Sequence, residues 1–180
     1  MKTDFERAFI RAGRRGQRLL QDDLIALVPR EYAGHVAQLG GAKSLVFDIV
    51  MPGLSPGPAG EIALRVGEDA SLFYLGHIGY HVDPPFRGHG AALRACRLCV
   101  SVLAELGMRT FVITTDEDNL PSILTCERLG CTLECSVDVP LWCRQEFSIS
   151  ERKRRYVYDP AAIQRLSLIH ISPVCHQRRA

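Results

Sequence analysis

The chain lacks long hydrophobic runs: nowhere in its 180 residues does an apolar stretch approach the roughly 18 positions a membrane-crossing helix needs. A soluble protein with no membrane partner is the expectation. The opening "MKTDFERAFIRAGRRGQRLL" mixes acids and arginines where a secretory leader needs an unbroken apolar core, so nothing points to export and the expected location is the cytoplasm. Charge of one sign is scarce too. A net charge of +2 is too small to imply a nucleic-acid partner, and the local clusters "RAGRR" and "RKRRY" have no interleaved aromatics on which bases would stack. They read as solvated faces. Cysteine is present but unpaired in pattern: seven is an odd number, scattered through helix-like and strand-like segments, which fits reduced thiols better than a disulfide framework. Cys96 and Cys99 have metal-like spacing, but no second pair accompanies them and both fall inside an amphipathic helix, so no metal is expected.

At this length one domain is expected, over residues 1–165. The last fifteen residues stand apart. "LSLIHIS" resembles the translation of an adapter used in sequencing libraries and "PVCHQRRA" shows no periodicity, so 166–180 is taken as a non-native tail outside the fold.

The periodicity predicts a short helix through Phe5, Phe9 and Ile10, ending near Gly13 to Gly16. A strand at 24–28 is expected to stop at Pro29, and one small helix fits the gap before the strand pattern "SLVFDIVM" (44–51). The proline- and glycine-rich stretch 52–60 reads as a hairpin turn to "EIALRVG" (61–67). "EDAS" then turns the chain into "LFYLGHIGYHV" (72–82), whose aromatic and β-branched content predicts a strand. Leu93, Cys96, Val100, Leu103 and Leu106 recur at helical spacing and Gly107 stands where a terminating glycine belongs. A buried strand at 110–115, a helix at 120–130 and a strand at 131–139 follow, then an irregular segment containing Trp142 and Cys143 and a last strand at 152–159. The pattern is an α/β domain: a mixed, mostly antiparallel sheet with helices on its faces.

Between the fourth predicted strand and the long helix lies "VDPPFRGHGAALRAC". Gly88 and Gly90 permit a tight turn that presents backbone N–H groups, and the helix N-terminus adds partial positive charge. Ala91 and Ala92 are small enough for a diphosphate to approach, and Arg87 adds a cation. Such a turn suits phosphate, although a tight turn alone also requires glycine.

This segment resembles the signature of the GNAT superfamily of N-acyltransferases: V-x-P, then Gln or Arg, two residues, Gly, one residue, and Gly or Ala. Here Val82, Pro84, Arg87, Gly88 and Gly90 agree, while Pro85 stands where Gln or Arg is usual and removes one side-chain contact to the diphosphate. A second segment, "DNLPSILTCERLGC", is similar to the family's N-x-x-S/A-x-x-x-Y-E-K-x-G-F, with Asn119, Ser122, Glu127, Arg128, Leu129 and Gly130 in place and Cys126 at the tyrosine position.

The resemblance implies a GNAT fold whose sheet splays between its fourth and fifth strands, with acetyl-CoA as cosubstrate and no metal. The pantetheine arm would lie in the splay and pair with backbone at Tyr80 and Val82. Its diphosphate would sit on Arg87, Gly88, His89, Gly90, Ala91 and Ala92, with Asn119 facing the cofactor. Direct transfer of acetyl to a primary amine needs a base, an oxyanion contact and a proton for the leaving thiolate. His81 and, second to it, Glu61 are candidate bases on flanking strands. Cys126 is the candidate acid, with plain space-filling as its alternative. The acidic run Asp116, Glu117, Asp118 reads as a solvated loop or as an attractor for a cationic amine. The acceptor is a small-molecule amine or a peptide N-terminus; the alternative to catalysis is a non-catalytic acyl-CoA-binding module. One helix rather than the family's usual two before the second strand leaves the acceptor cleft open, or completed by the N-terminal helix or a second subunit in a homodimer.

Overall fold

Thr3 opens the first helix, α1 (Asp4–Arg14), through reciprocal bonds: the Glu6 amide donates to Thr3 Oγ1 at 3.1 Å and the Thr3 amide to Glu6 Oε2 at 2.6 Å. In this computed structural model, which describes residues 2–161, Glu6 is fully buried. It is matched there by Lys43 Nζ at 2.8 Å and the Tyr32 hydroxyl at 3.1 Å. One helical turn on, Phe9 packs edge-on against Phe47 and ties α1 to the sheet. Residues 166–180, expected to be a non-native tail, lie outside the described residues.

Eight strands form one sheet: β1 (Leu20–Gln21), β2 (Ala26–Val36), β3 (Ala42–Val50), β4 (Pro58–Val66), β5 (Ile78–Val82), β6 (Phe111–Asp116), β7 (Thr132–Asp138) and β8 (Arg152–Tyr158), in spatial order β1-β2-β3-β4-β5-β6-β8-β7. Every neighbouring pair is antiparallel except β5 and β6. β5 is held to β4 by five residue pairs and β6 to β8 by six, yet β5 meets β6 at the single pair Ile78↔Ile113. The sheet is therefore two half-sheets diverging from one point. Because β1 is short and precedes the predicted strands, these are the fourth and fifth of the sequence pattern.

One face carries α1, α3 (Ala91–Glu105) and α4 (Leu120–Leu129), over a core that joins Phe9, Phe47, Ile62, Leu64, Ala95, Cys99 and Ile113. The C-terminus of α3 follows from Gly107, whose φ of 92° lets its own amide reach Ala104 O and that of Met108 reach Leu103 O at 2.8 Å. The opposite face carries α2 (Ala70–Leu75) and α5 (Leu141–Phe147), which meet where Tyr74 packs edge-on against Trp142.

Several local expectations change. Pro29 does not end a strand: β2 runs on to Val36, with a bulge between Pro29 and Glu31. β1 covers only Ala26 and Leu27, so Pro29 lies on a free edge where its missing donor leaves nothing unpaired. A single 3-10 turn, Ala37–Leu39, occupies the place of the small helix. The segment 72–82 is not one strand, because the Asp69 carboxylate accepts the Ser71 amide at 2.7 Å and starts α2. Gly76 ends α2 at a φ of 70°, where a Cβ would come within 2.9 Å of β6 backbone. The segment after β7 is helical, not irregular. Among the described residues all six cysteines are free, and no helix is long and apolar enough to cross a membrane.

Candidate active site

Hydrogen-bond parity decides what the gap between the half-sheets offers. The Arg65 amide donates to His77 O and the Asp83 amide to Ala59 O, so by antiparallel alternation Gly79 and His81 spend their backbone groups on β4. The amides and carbonyls of Tyr80 and Val82 face the gap. Their side chains lie on the α3 and α4 side, where the Tyr80 hydroxyl stands 2.8 Å from Ser122 Oγ and burial pushes its pKa well above the usual phenol value.

At the end of β5 the chain makes a 3-10 turn, Pro84–Phe86, and enters α3 through Gly88 at a φ of 86° and Gly90 at 73°. Nothing lies within 4 Å of where a Cβ would stand on either, so the turn is open to a ligand. The first amides of α3 have no acceptor within the helix, whose first bond runs from the Arg94 amide to Gly90 O, and Ala91, Ala92 and Leu93 line that space. Arg87 Nε donates to Val82 O at 2.8 Å, lashing the turn to the strand end. His89 Nδ1 lies 3.1 Å from Arg87 O, on the outside of the turn. Asn119 caps α4, its Oδ1 accepting the Ser122 amide at 3.2 Å.

A cleft of about 700 Å³ joins these parts, from Gly88, Gly90, Ala91, Ala92 and Arg87, past Tyr80, Val82 and Asn119, to Arg65, Tyr74 and Thr114 on the opposite face. Of the sequence-predicted cofactor residues, His89 stays outside its lining. A second hollow of about 390 Å³ lies on the open face of the sheet, lined by Arg30, Asp48, Pro58, Gly60, Glu61, His81 and Asp83. His81 borders both.

The family model for the acetyltransferase (GNAT) domain matches residues 29–132, more than half of the chain. The chain belongs to the GNAT acetyltransferase family. No curated protein sequence matches it. Among solved GNAT structures it is similar to the microcin self-immunity acetyltransferase MccE in complex with acetyl-CoA and AMP, at a TM-score of 0.50 and 23% identity over 64% of this chain and 61% of that one. It is also similar to the ribosomal-protein acetyltransferase RimL in complex with coenzyme A, at a TM-score of 0.50 and 22% identity over 64% and 62%. A probable acetyltransferase aligns at a TM-score of 0.51 and 22% identity over 66% and 63%. The likeness shows a shared fold, and it spans less than two thirds of each of those chains.

Two candidates for the chemistry sit differently from expectation. Cys126, at the tyrosine position of the GNAT motif, is fully buried between α3 and α4 and does not line the cleft; burial pushes its thiol up to about 12. That burial fits the space-filling alternative. Glu61 is held by Arg30 at 2.7 Å, and Arg30 also holds Asp48 at 3.0 Å. His81, by contrast, borders the cleft half-exposed with Nε2 3.2 Å from Asp83 Oδ1. His77 carries structure instead: its Nδ1 accepts the Val112 amide at 3.0 Å, and burial lowers its pKa so that this nitrogen stays unprotonated.

In the acidic run Asp116 binds Lys153 at 2.5 Å and Glu117 lies 3.7 Å from Arg152, while among the described residues Asp118 has no ion-pair partner. Sequence reasoning missed Arg65, Asp83 and Tyr74. The two-residue period of Glu61, Ala63 and Arg65 was the available signal for Arg65, since it sets that side chain on the same face as Glu61.

Proposed function

We propose that this GNAT protein is an N-acetyltransferase that moves acetyl from acetyl-CoA to a primary amine by direct transfer in a ternary complex. The observation that carries the reading is the continuous cleft through the splay, with an amide-lined, phosphate-compatible turn at one end and titratable side chains at the other. The turn from Arg87 to Ala92 would take the diphosphate, and the gap-facing backbone of Tyr80 and Val82 would pair with pantetheine. An amide in that row would also donate to the thioester oxygen as negative charge develops. His81, oriented by Asp83, would accept the amine proton directly or through water, and the leaving thiolate would take its proton from water. A reaction fed by acetyl-CoA fits a cytoplasmic setting. The burial of Cys126 favours, as the second reading, an acyl-CoA-binding module without turnover.

Calorimetric titration of the full chain with acetyl-CoA, with dephospho-CoA and ATP as comparisons, tests the binding half. Micromolar affinity that ATP does not reproduce is expected, and no binding by folded protein would sink both readings. CoA release on adding amines then separates the enzyme from the module.

A further inference from the structure

On the acceptor side of the splay lies a cation without a counter-ion. Arg30, Lys43, Lys153 and Arg155 each rest on a carboxylate. Arg65 does not: among the described residues no carboxylate lies within ion-pair distance, and its Nη1 donates only to the carbonyls of Gly76 at 3.2 Å and Leu75 at 3.4 Å. The side chain is largely buried, and burial lowers its pKa with no opposite charge to offset it. Keeping a guanidinium desolvated and unmatched is unfavourable unless something anionic completes it.

The sheet makes room for this placement. Arg65 leans from β4 across β5 at Gly79, where a Cβ would stand 3.1 Å from Nη2 and 3.2 Å from Nη1. Gly79 has ordinary strand backbone, with no positive φ to require glycine, so the close approach of the guanidinium accounts for it. Arg65 and Gly79 both line the cleft, facing Tyr74, Leu75 and Thr114, at the end remote from the glycine turn that suits the diphosphate. A cofactor phosphate bound at that turn therefore does not supply the missing anion. His81, the proposed base, lies two residues along β5 from Gly79, about 6.6 Å in a strand.

We infer that Arg65 is the anion-binding residue of the acceptor site, and that the acceptor is a small primary amine carrying a carboxylate or a phosphate a few bonds from its nitrogen, a role that presupposes the transferase reading above. The guanidinium would take the anionic end in a two-pronged bond and leave the amine near His81.

The test uses the full chain and matched acceptors: 3-aminopropanoate against its methyl ester and propylamine, and phosphoethanolamine against ethanolamine. The wild type is expected to favour the anionic member of at least one set by roughly tenfold or more in kcat/KM, and the two sets separate carboxylate from phosphate. Arg65→Gln should erase that preference through the acceptor KM while leaving the acetyl-CoA Kd within about twofold. Gly79→Ala, which keeps the charge but displaces the guanidinium, should weaken the preference without unfolding the protein. The Arg65 Nε–H resonance, assigned by its loss in Arg65→Gln, should shift on adding the favoured anionic amine and not its neutral counterpart, a readout independent of turnover. Equal use of charged and neutral acceptors with no such shift would overturn the role. So would a charge preference that follows the acyl donor, read with succinyl-CoA against acetyl-CoA. Failure to bind acetyl-CoA or to acetylate any amine would instead count against the transferase reading, with the resonance shift still deciding whether Arg65 binds the anion.

Discussion

The two ends of the cleft are made of different material. At the glycine turn the contacts offered are backbone amides at the start of α3, set by Gly88 and Gly90 within a few residues of chain. At the other end Arg65 comes from β4, His81 from β5, Tyr74 from α2 and Thr114 from β6, four elements brought together only by tertiary packing. A backbone site is local and tolerates changes of side chain so long as the turn survives. A side-chain site depends on tertiary register, and a single side chain can retune it.

The sharpest way to break the first end is a charge rather than a larger residue at glycine. Both turn glycines have positive φ, so any side chain there would mix backbone strain with the effect sought. Ala92 is free of that problem: it occupies the first turn of α3 and lines the cleft. Ala92→Asp should leave the fold intact or slightly firmer, because a carboxylate suits a helix N-terminus, while setting like charge against the diphosphate. Acetyl-CoA affinity is expected to fall by about 100-fold or more with thermal stability retained. Calorimetry beside a melting curve checks it, and unchanged affinity would remove the turn from the site.

What could be read from the chain follows the same division. The order of most strands and helices and the turn were legible because each rests on short-range pattern: helical spacing through Leu93 to Leu106, the Gly107 stop, and Gly88 and Gly90 beside V-x-P. The splay was expected only through the family resemblance those motifs carry, since the single β5–β6 pair is a tertiary fact. Local reading failed where a neighbour overrode it. Pro29 reads as a strand end until β1 is seen to leave it on a free edge, and Leu72 to Leu75 read as strand until the Asp69 cap is seen to start a helix. The Arg65 end of the cleft was hardest, since Arg65 becomes exceptional only through the absence of a carboxylate around it among the described residues, which no spacing records.

Smaller effects should follow at the far end. His81→Gln keeps a polar side chain on β5 but cannot take a proton from the amine, so kcat should drop by about 100-fold while acetyl-CoA affinity stays within twofold. Asp83→Asn, which removes the charge 3.2 Å from the ring, should cost about tenfold. Initial rates over a pH series decide the matter. A full rate in His81→Gln would hand proton removal to water alone and leave the acceptor end as a binding surface.

The smallest functional effect belongs to Cys126, and it separates packing from chemistry most cleanly. Cys126→Ala empties part of the contact between α3 and α4, so stability at neutral pH should fall by about 1–2 kcal/mol while kcat stays within twofold and its pH profile keeps its shape. The same variant has an alkaline signature. Burial raises the folded thiol from its ordinary 9.0 to about 12, so the folded state holds a proton that the unfolded chain releases above 9. The wild type should therefore lose stability as pH rises from 9, by up to about 1.4 kcal/mol per pH unit for this thiol, and be unaffected by it below that range. Cys126→Ala should decline less steeply between pH 8 and 10, with the other buried thiols keeping their own share. Denaturant melts at the two pH values read the difference directly. A variant that instead lost its rate with its neutral-pH stability intact would mean that the thiol reaches the reacting atoms after all, and that the half-sheet gap opens further than the packed core of α3 and α4 implies.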